Sequence, residues 1–275
     1  MKQESGLLNK LFGWGQKETP KMVNLGCGNR FHPDWLNIDF NSQTPEVRKH
    51  DLMTALPLKD GSCSVLYSSH LIEHFPKSFT PLFLAECFRV LVPQGIIRLV
   101  VPDLEMIARL YLENLQKAAT GDSDSAKKHE WMQIELLDQM VREQSGGEML
   151  EYWKKNPMPA EEFVIHRMGH EVTQFLTYIR SQPPSPTPLP YRSIQNYTQK
   201  TPEEVTAFRR QGEVHRWMYD RVSLKSLLET VGFHNAHRCQ AGESQIANFN
   251  SYQLDLNPDG TIRKPDSLFM EAIKP

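Results

Sequence analysis

Lys21-Met22-Val23-Asn24-Leu25-Gly26-Cys27-Gly28 is a short apolar run that stops at a pair of glycines, and its reading governs the rest of the chain. Such a run reads as a buried strand. Glycines at its end let the backbone turn sharply and approach a ligand that a side chain would exclude. A Gly-X-Gly pattern alone is a weak signal, because tight turns need glycine for structural reasons too. Working outward, Trp35-Leu36-Asn37-Ile38 stops at Asp39 and Val47-Arg48-Lys49-His50 stops at Asp51, so each is a short strand ending in an acid. Ser64-Val65-Leu66-Tyr67-Ser68 follows. A helix comes next, with Thr80 as its cap, Pro81 in its first turn, and Pro93 and Gly95 as terminators; Ile96 to Val101 is then an apolar strand. Strands alternating with helices, some of them nearly continuous apolar runs, predict an α/β fold with a mostly parallel sheet and helices on both faces.

The middle of the chain has another character. Trp131 to Leu137 and Phe163 to Ile179 carry helical periodicity, Gln182 to Pro190 is a Pro-rich connector, and Thr201-Pro202-Glu203-Glu204 is a capping box with proline at the first helical position. The tail returns to α/β. Ser223 to Val231 is an amphipathic helix stopped by Gly232, and His234 to Cys239 and Ser267 to Lys274 supply two last strands. The turn signal Asn257-Pro258-Asp259-Gly260 between them predicts a hairpin-like excursion and an antiparallel edge strand. The expected organisation is an N-terminal amphipathic segment over residues 1–20, an α/β domain over 21–104 and 213–275, and a helical insertion over 105–212 expected to serve as a substrate-side wall, lid or oligomer interface.

Composition narrows the function classes. A chain of 275 residues with 39% hydrophobic content buries one large core, or one core and an appendage, and a formal net charge of −2 gives no reason to expect nucleic-acid binding through bulk charge. Cys27, Cys63, Cys87 and Cys239 are scattered and form no CxxC pair, so a disulfide framework or cysteine-rich zinc site is not indicated and a reducing cytoplasm fits best. No apolar run approaches the ~20 residues that cross a bilayer. Leu7, Leu8, Leu11, Phe12 and Trp14 group at helical spacing, which suits a short helix packed on its own domain or a weak peripheral membrane contact.

The acids give the glycine turn a chemical meaning. Asp39 at its strand end is placed to accept both hydroxyls of a ribose, and Asp51 beside Leu52 is placed to hold an adenine amino group and ring face. Isolated aspartates are more often caps or turn residues, so their joint placement carries the weight.

The ordered stretches Val23-Asn24-Leu25-Gly26-Cys27-Gly28, Asn37-Ile38-Asp39, His50-Asp51-Leu52, Ser68-Ser69-His70-Leu71-Ile72-Glu73-His74 and Val90-Leu91-Val92-Pro93-Gln94-Gly95 resemble the motifs of class I S-adenosylmethionine-dependent methyltransferases. The resemblance covers residues 21–104 and the tail, and implies a Rossmann-like sheet. His215-Arg216-Trp217-Met218-Tyr219-Asp220 resembles a bacterial branch associated with modification of sugars or surface polysaccharides. The resemblance implies S-adenosyl-L-methionine as cofactor, held by Gly26, Gly28, Asp39 and Asp51, with Cys27, Leu52 and Ser69 as further candidates beside them, and a small-molecule, sugar or glycolipid acceptor methylated at a hydroxyl oxygen.

The chain departs from the common pattern in one place. Only the ten residues 29–38 separate Gly28 from Asp39, and the second strand uses several of them, so a loop or single turn over Asn29 to Asp34 replaces the usual helix. This removes a helix N-terminus as an anion site. Phe31 at the third-glycine position also argues against a dinucleotide oxidoreductase. Backbone N–H groups and Arg30 are then expected to meet the methionine carboxylate.

A hydroxyl acceptor needs its proton removed. His70, Glu73 and His74 follow the fourth strand, and His215, Tyr219 and Asp220 are expected to face them, with His215 the first choice as general base and His70 the second. Each histidine can equally cap or pack. His166 and His170 are four apart without an HExxH motif, so no metal site is assigned. Arg142, Arg167 and Arg180 could meet an anionic substrate or lie solvated. A noncatalytic protein on the same fold, acting through its insertion, is the alternative, and a homodimer through the insertion stays open.

Overall fold

The computed structural model describes residues 21–42, 44–182 and 200–275. The amphipathic segment expected over residues 1–20 and the Pro-rich connector from residue 183 onward lie outside the described residues. Seven strands, β1 (Lys21–Leu25), β2 (Leu36–Asp39), β3 (Val47–Lys49), β4 (Cys63–Ser69), β5 (Leu91–Pro102), β6 (His234–Cys239) and β7 (Ser267–Ile273), form one sheet in the order β3-β2-β1-β4-β5-β7-β6. The first five pair in parallel, and β7 runs antiparallel between β5 and β6, so the antiparallel pairing expected at that edge rests on β7.

Register brings the strand ends together. Leu25 of β1 sits opposite Ile38 of β2 and Ser68 of β4, so Gly26, Asp39 and Ser69 emerge side by side. In a parallel sheet this carboxyl edge is where a ligand finds a crevice.

Alternation of side chains divides the core between two faces. Val23, Leu25, Leu66, Leu99 and Met270 point to one face, covered by α1 (Thr80–Val90) and α8 (Arg221–Val231). Val65, Tyr67, Val100 and Phe269 point to the other, where no helix follows β1 and residues 26–35 form turns, as the short spacing required. That face is covered by Trp35 and by the long excursion between β6 and β7, whose 3-10 turn Phe249–Tyr252 packs its aromatic rings against Trp35 and Tyr67.

A buried cation fastens the excursion. Arg98 of β5 is fully buried, and its Nε and Nη1 each reach a carboxylate, Asp255 and Glu271, at 2.7 Å. Its remaining donors meet the carbonyls of Gln240, Ala241 and Glu243, and Tyr67 donates its hydroxyl to the second oxygen of Asp255 at 2.5 Å. A charge removed from water is tolerated only when its donors are satisfied in this way.

Several local expectations shift. Thr80 is the first helical residue, not the cap: Phe79 is the cap, and the Thr80 hydroxyl accepts from Tyr219. β5 starts at Leu91 and runs through Pro93 and Gly95, because Lys274 pairs with Gly95 and prolongs the sheet there. The helix expected over Phe163 to Ile179 divides into α5 (Glu161–Met168) and α6 (His170–Ser181) at Gly169, whose φ of 68° breaks the ladder. His166 and His170 therefore sit on different helices. The capping box at Thr201 forms as expected and starts α7 (Pro202–Arg209).

The helices α2 (Leu104–Ala119), α3 (Ser123–Val141), α4 (Gly147–Trp153), α5 and α6 build their own core around Trp131, Met132, Tyr152 and Val172. Buried Glu135 accepts from Trp131 Nε1 at 2.8 Å and pairs with Arg167, while Arg142 pairs with Asp138 and, at 2.9 Å, Glu213. Arg180 pairs with Glu161 at 2.5 Å. All three arginines put forward for an anionic substrate are thus committed to carboxylates of the chain. No helix among the described residues is long and apolar enough to cross a membrane.

Replacing Arg98 with methionine leaves Asp255 and Glu271 as uncompensated buried carboxylates. Urea unfolding of Arg98→Met should show a loss of about 3–5 kcal/mol relative to the native chain; an unchanged midpoint would deny the residue its role.

Candidate active site

The glycine turn is built as its sequence demands. Gly26 (φ 69°) and Gly28 (φ 50°) both take left-handed backbone, and a Cβ on Gly26 would stand 2.9 Å from the Leu71 side chain. A Cβ on Gly28 would meet nothing within 4 Å, so it faces open space. Asp39 is aimed at this turn: its two oxygens accept from the N–H groups of Gly28 at 2.8 Å and Asn41 at 2.9 Å. Asp39, Gly28, Phe31 and Val47 line a recess of about 300 Å³. Asp51 is exposed beyond it and accepts from Met53 N–H at 2.9 Å, while the Leu52 side chain is packed in the core.

The turn also walls a larger cavity of about 760 Å³, within the roughly 300–1,000 Å³ of small-molecule sites. Strand-end residues Asn24, Gly26–Arg30, Tyr67, Ser69 and His70 form its floor, α6 contributes Glu171 and Gln174, and the β6–β7 excursion contributes Asp259, Arg263 and Lys264. Arg30 donates to the carbonyls of Gln253 at 2.8 Å and Leu256 at 3.0 Å, and Arg263 donates to Leu254 O and, at 3.2 Å, to Ser69 Oγ. The two guanidiniums pin the excursion over the strand ends. Burial, and then the charge of Arg263, hold Arg30 below its usual value, so this wall favours an anionic ligand group.

His70 closes the floor. It is a non-glycine residue at φ 52°, a sparsely populated conformation that the fold must hold in place. Its Nε2 lies 2.8 Å from Ser267 Oγ and its Nδ1 3.3 Å from Glu73 Oε1. Burial, ahead of the charge of Lys264, pushes His70 well below the usual histidine range and keeps it neutral. Glu73 has no exposed surface and no well-formed hydrogen bond to its carboxylate, and burial pushes it up to about 8.

Behind His70, the His74 and His215 rings meet edge to face at 4.9 Å. His74 Nδ1 is 3.3 Å from Val214 O, and burial lowers His74 and takes His215 down to about 2. Neither ring belongs to the lining of these cavities. Tyr219 is buried with its hydroxyl on Thr80 Oγ1 at 2.8 Å, and Asp220 caps α8 through Val222 and Ser223 N–H. Both lie away from the cavity, held by the packing of α8 on the sheet. Sequence reading did not find Tyr67, Glu171, Arg263 or Lys264. The one available signal, the turn at Asn257–Gly260, indicated a hairpin rather than a wall.

Residues 33–99, from the turn before β2 through most of β5, match a family model described as a methyltransferase domain. The match is to a methyltransferase domain and spans less than half of the chain. The glycine turn and β1 precede the matched region. Among solved structures, a SAM-dependent methyltransferase from Archaeoglobus fulgidus is 11% identical at a TM-score of 0.38, with 94% of this chain and 87% of that one covered. Phosphoethanolamine N-methyltransferase 2 from Haemonchus contortus, in complex with S-adenosyl-L-methionine, is 10% identical at a TM-score of 0.36, with 98% and 52% covered. No curated protein matches the sequence. S-adenosyl-L-methionine is the cofactor that the sequence resemblance implies. The residues present suit it: open space at Gly28, a carboxylate at Asp39 and a doubly cationic wall at Arg30 and Arg263 answer a ligand with ribose hydroxyls and a carboxylate.

Two outcomes follow. Gly28→Ala should weaken S-adenosylmethionine binding at least ~10-fold by calorimetry with stability reduced by only about 1 kcal/mol, since the new methyl enters the cavity and not a neighbour; equal affinity would remove the turn from the site. The four cysteines are buried and all pushed upward, Cys27 to about 12 and Cys239 to about 11, chiefly by burial. A disulfide reagent at pH 8 should find no fast thiol in the folded chain and all four after denaturation.

Proposed function

We propose that the chain transfers a methyl group from S-adenosylmethionine to a hydroxyl oxygen of a small-molecule, sugar or glycolipid acceptor. The observation that carries this reading is the position of His70, which lines both the cofactor-sized cavity and a second cavity of about 320 Å³ walled by Met149, Trp153 and Met168. The two spaces share His70, Glu171 and Lys264. A donor in one and an acceptor in the other meet at that imidazole.

Bound S-adenosylmethionine supplies a methyl group already activated on a sulfonium. The residues of the chain then bind and align. Asp39 holds ribose hydroxyls, Asp51 an adenine amino group, and the N–H groups of the 26–30 turn, with Arg30 and Arg263, the carboxylate. Cys27 fills its place in the turn as a small apolar side chain. The helical segment forms the acceptor wall through Met149, Trp153 and Met168, with Trp153 as a stacking surface for a sugar ring. His70 Nδ1 accepts the hydroxyl proton, while the contact of Nε2 with Ser267 Oγ orients the ring. This assigns the base to His70 in preference to His215, whose ring faces His74 instead of a cavity.

The test is methyl transfer from labelled S-adenosylmethionine to a panel of hydroxyl-bearing glycans and glycolipids. His70→Ala should lower kcat by about 100- to 10,000-fold and leave the cofactor dissociation constant within about twofold. Full turnover in His70→Ala would sink the assignment, and failure to bind either S-adenosylmethionine or its demethylated product would sink the whole reading.

A further inference from the structure

Glu73, His74 and His215 each offer one ligand atom, and these three atoms lie within 4.8 Å of one another. It is the one such group of metal-ligating side chains among the described residues. The fold fixes its members before any ion arrives. Glu73 and His74 are consecutive in the 3-10 turn Ile72–His74, and the Glu73 carbonyl accepts from Arg216 N–H at 2.7 Å and Trp217 N–H at 3.2 Å. That backbone tie draws the 213–217 segment against the turn, while His215 N–H is held by Gln139 O at 2.9 Å.

The donor chemistry points to an occupant. Both carboxylate oxygens of Glu73 are buried without a hydrogen-bond partner, a costly state for a polar side chain with no exposed surface. His74, with Nδ1 toward the Val214 carbonyl, leaves the Nε2 lone pair free, which is how a carbonyl orients a metal-bound imidazole. Among the described residues, the His215 ring has its edge-to-face contact with His74 and no ring hydrogen bond. The nearby Arg142 is already neutralised by Asp138 and Glu213, so it does not claim Glu73. Two imidazoles and one carboxylate with a fourth position open is a zinc donor set.

We propose that Glu73, His74 and His215 bind a divalent transition-metal ion, zinc in the first instance, clamping the end of β4 to the segment that re-enters the sheet at α8. Bonds of about 2.0–2.2 Å to each ligand require the three side chains to close inward by roughly an ångström. Glu73 also lies 3.3 Å from His70, so the ion would sit one residue behind the methyl-transfer site without entering it. The proposal stands apart from the identity of the acceptor.

The probe is Zn²⁺ alone, titrated by calorimetry into the full chain after chelator treatment, with Co²⁺ as a spectroscopic replacement. One site per chain is expected, with a rise in Tm and visible Co²⁺ bands of four- or five-coordinate N/O ligation. Loss of an outer partner typically costs 10- to 100-fold, so removing a ligand in His215→Ala or Glu73→Gln should cost at least ~100-fold. Absence of stoichiometric Zn²⁺ uptake by the native chain overturns the site, as does unchanged affinity in both variants, which would place the ion on other histidines. If a variant fails to fold, the native Co²⁺ spectrum still decides, because bands without imidazole ligation contradict the proposal. Cofactor binding measured on the same samples separates the two readings: S-adenosylmethionine binding without Zn²⁺ removes the metal site only.

Discussion

The contact on which the rest of the molecule depends is Arg98 between Asp255 and Glu271. A guanidinium in the middle of a sheet would be intolerable if any of its donors were left unmet. Here the demand for partners is met by folding the β6–β7 excursion down onto the face that lacks a helix, with the carbonyls of Gln240, Ala241 and Glu243 and the carboxylate of Asp255 drawn onto one side chain. Arg263 and Lys264 reach the strand ends because the same excursion is anchored there. The charge that would otherwise be a defect of the core becomes the anchor of the cavity wall.

The absence of a helix after β1 and this anchored excursion are two sides of one arrangement. A helix there would occupy the space that Trp35, Phe249 and Tyr252 fill, and would present its N-terminal N–H groups to the ligand. The chain instead brings two cations on side chains, Arg30 and Arg263, each spending donors on loop carbonyls while leaving positive charge at the cavity. In place of a backbone dipole, this edge of the sheet carries two guanidiniums that also hold the wall in place.

What could be read from the sequence was local. Gly26, Gly28 and Asp39 sit at strand ends within a few residues of the apolar runs that identify them, and parallel register makes neighbouring strand ends converge. The short 29–38 spacing likewise excluded a helix, and residues 26–35 form turns. The partners of Arg98 are 157 and 173 residues away, the hydroxyl that Tyr219 meets is 139 away, and no periodicity encodes such meetings. For the same reason the histidines were legible as a group but not in their order: that His70 faces two cavities while His215 turns toward His74 depends on how α3 and the 213–217 segment pack. Gly169, an ordinary glycine in a helical pattern, gave no hint that it would separate His166 from His170.

The antiparallel β7 has a consequence for how the molecule comes into being. Among the described residues, 267–273 form the strand that joins β5 to β6, and Glu271 is one of the two carboxylates that Arg98 meets. A nascent chain that has emerged only as far as the helical segment therefore carries an open apolar edge at β5 and a buried-to-be arginine without its acids. Such long-range pairing is slow to form and exposes edge surface while it waits. The cavity wall, which hangs between β6 and β7, is therefore held at both of its ends only once β7 has paired.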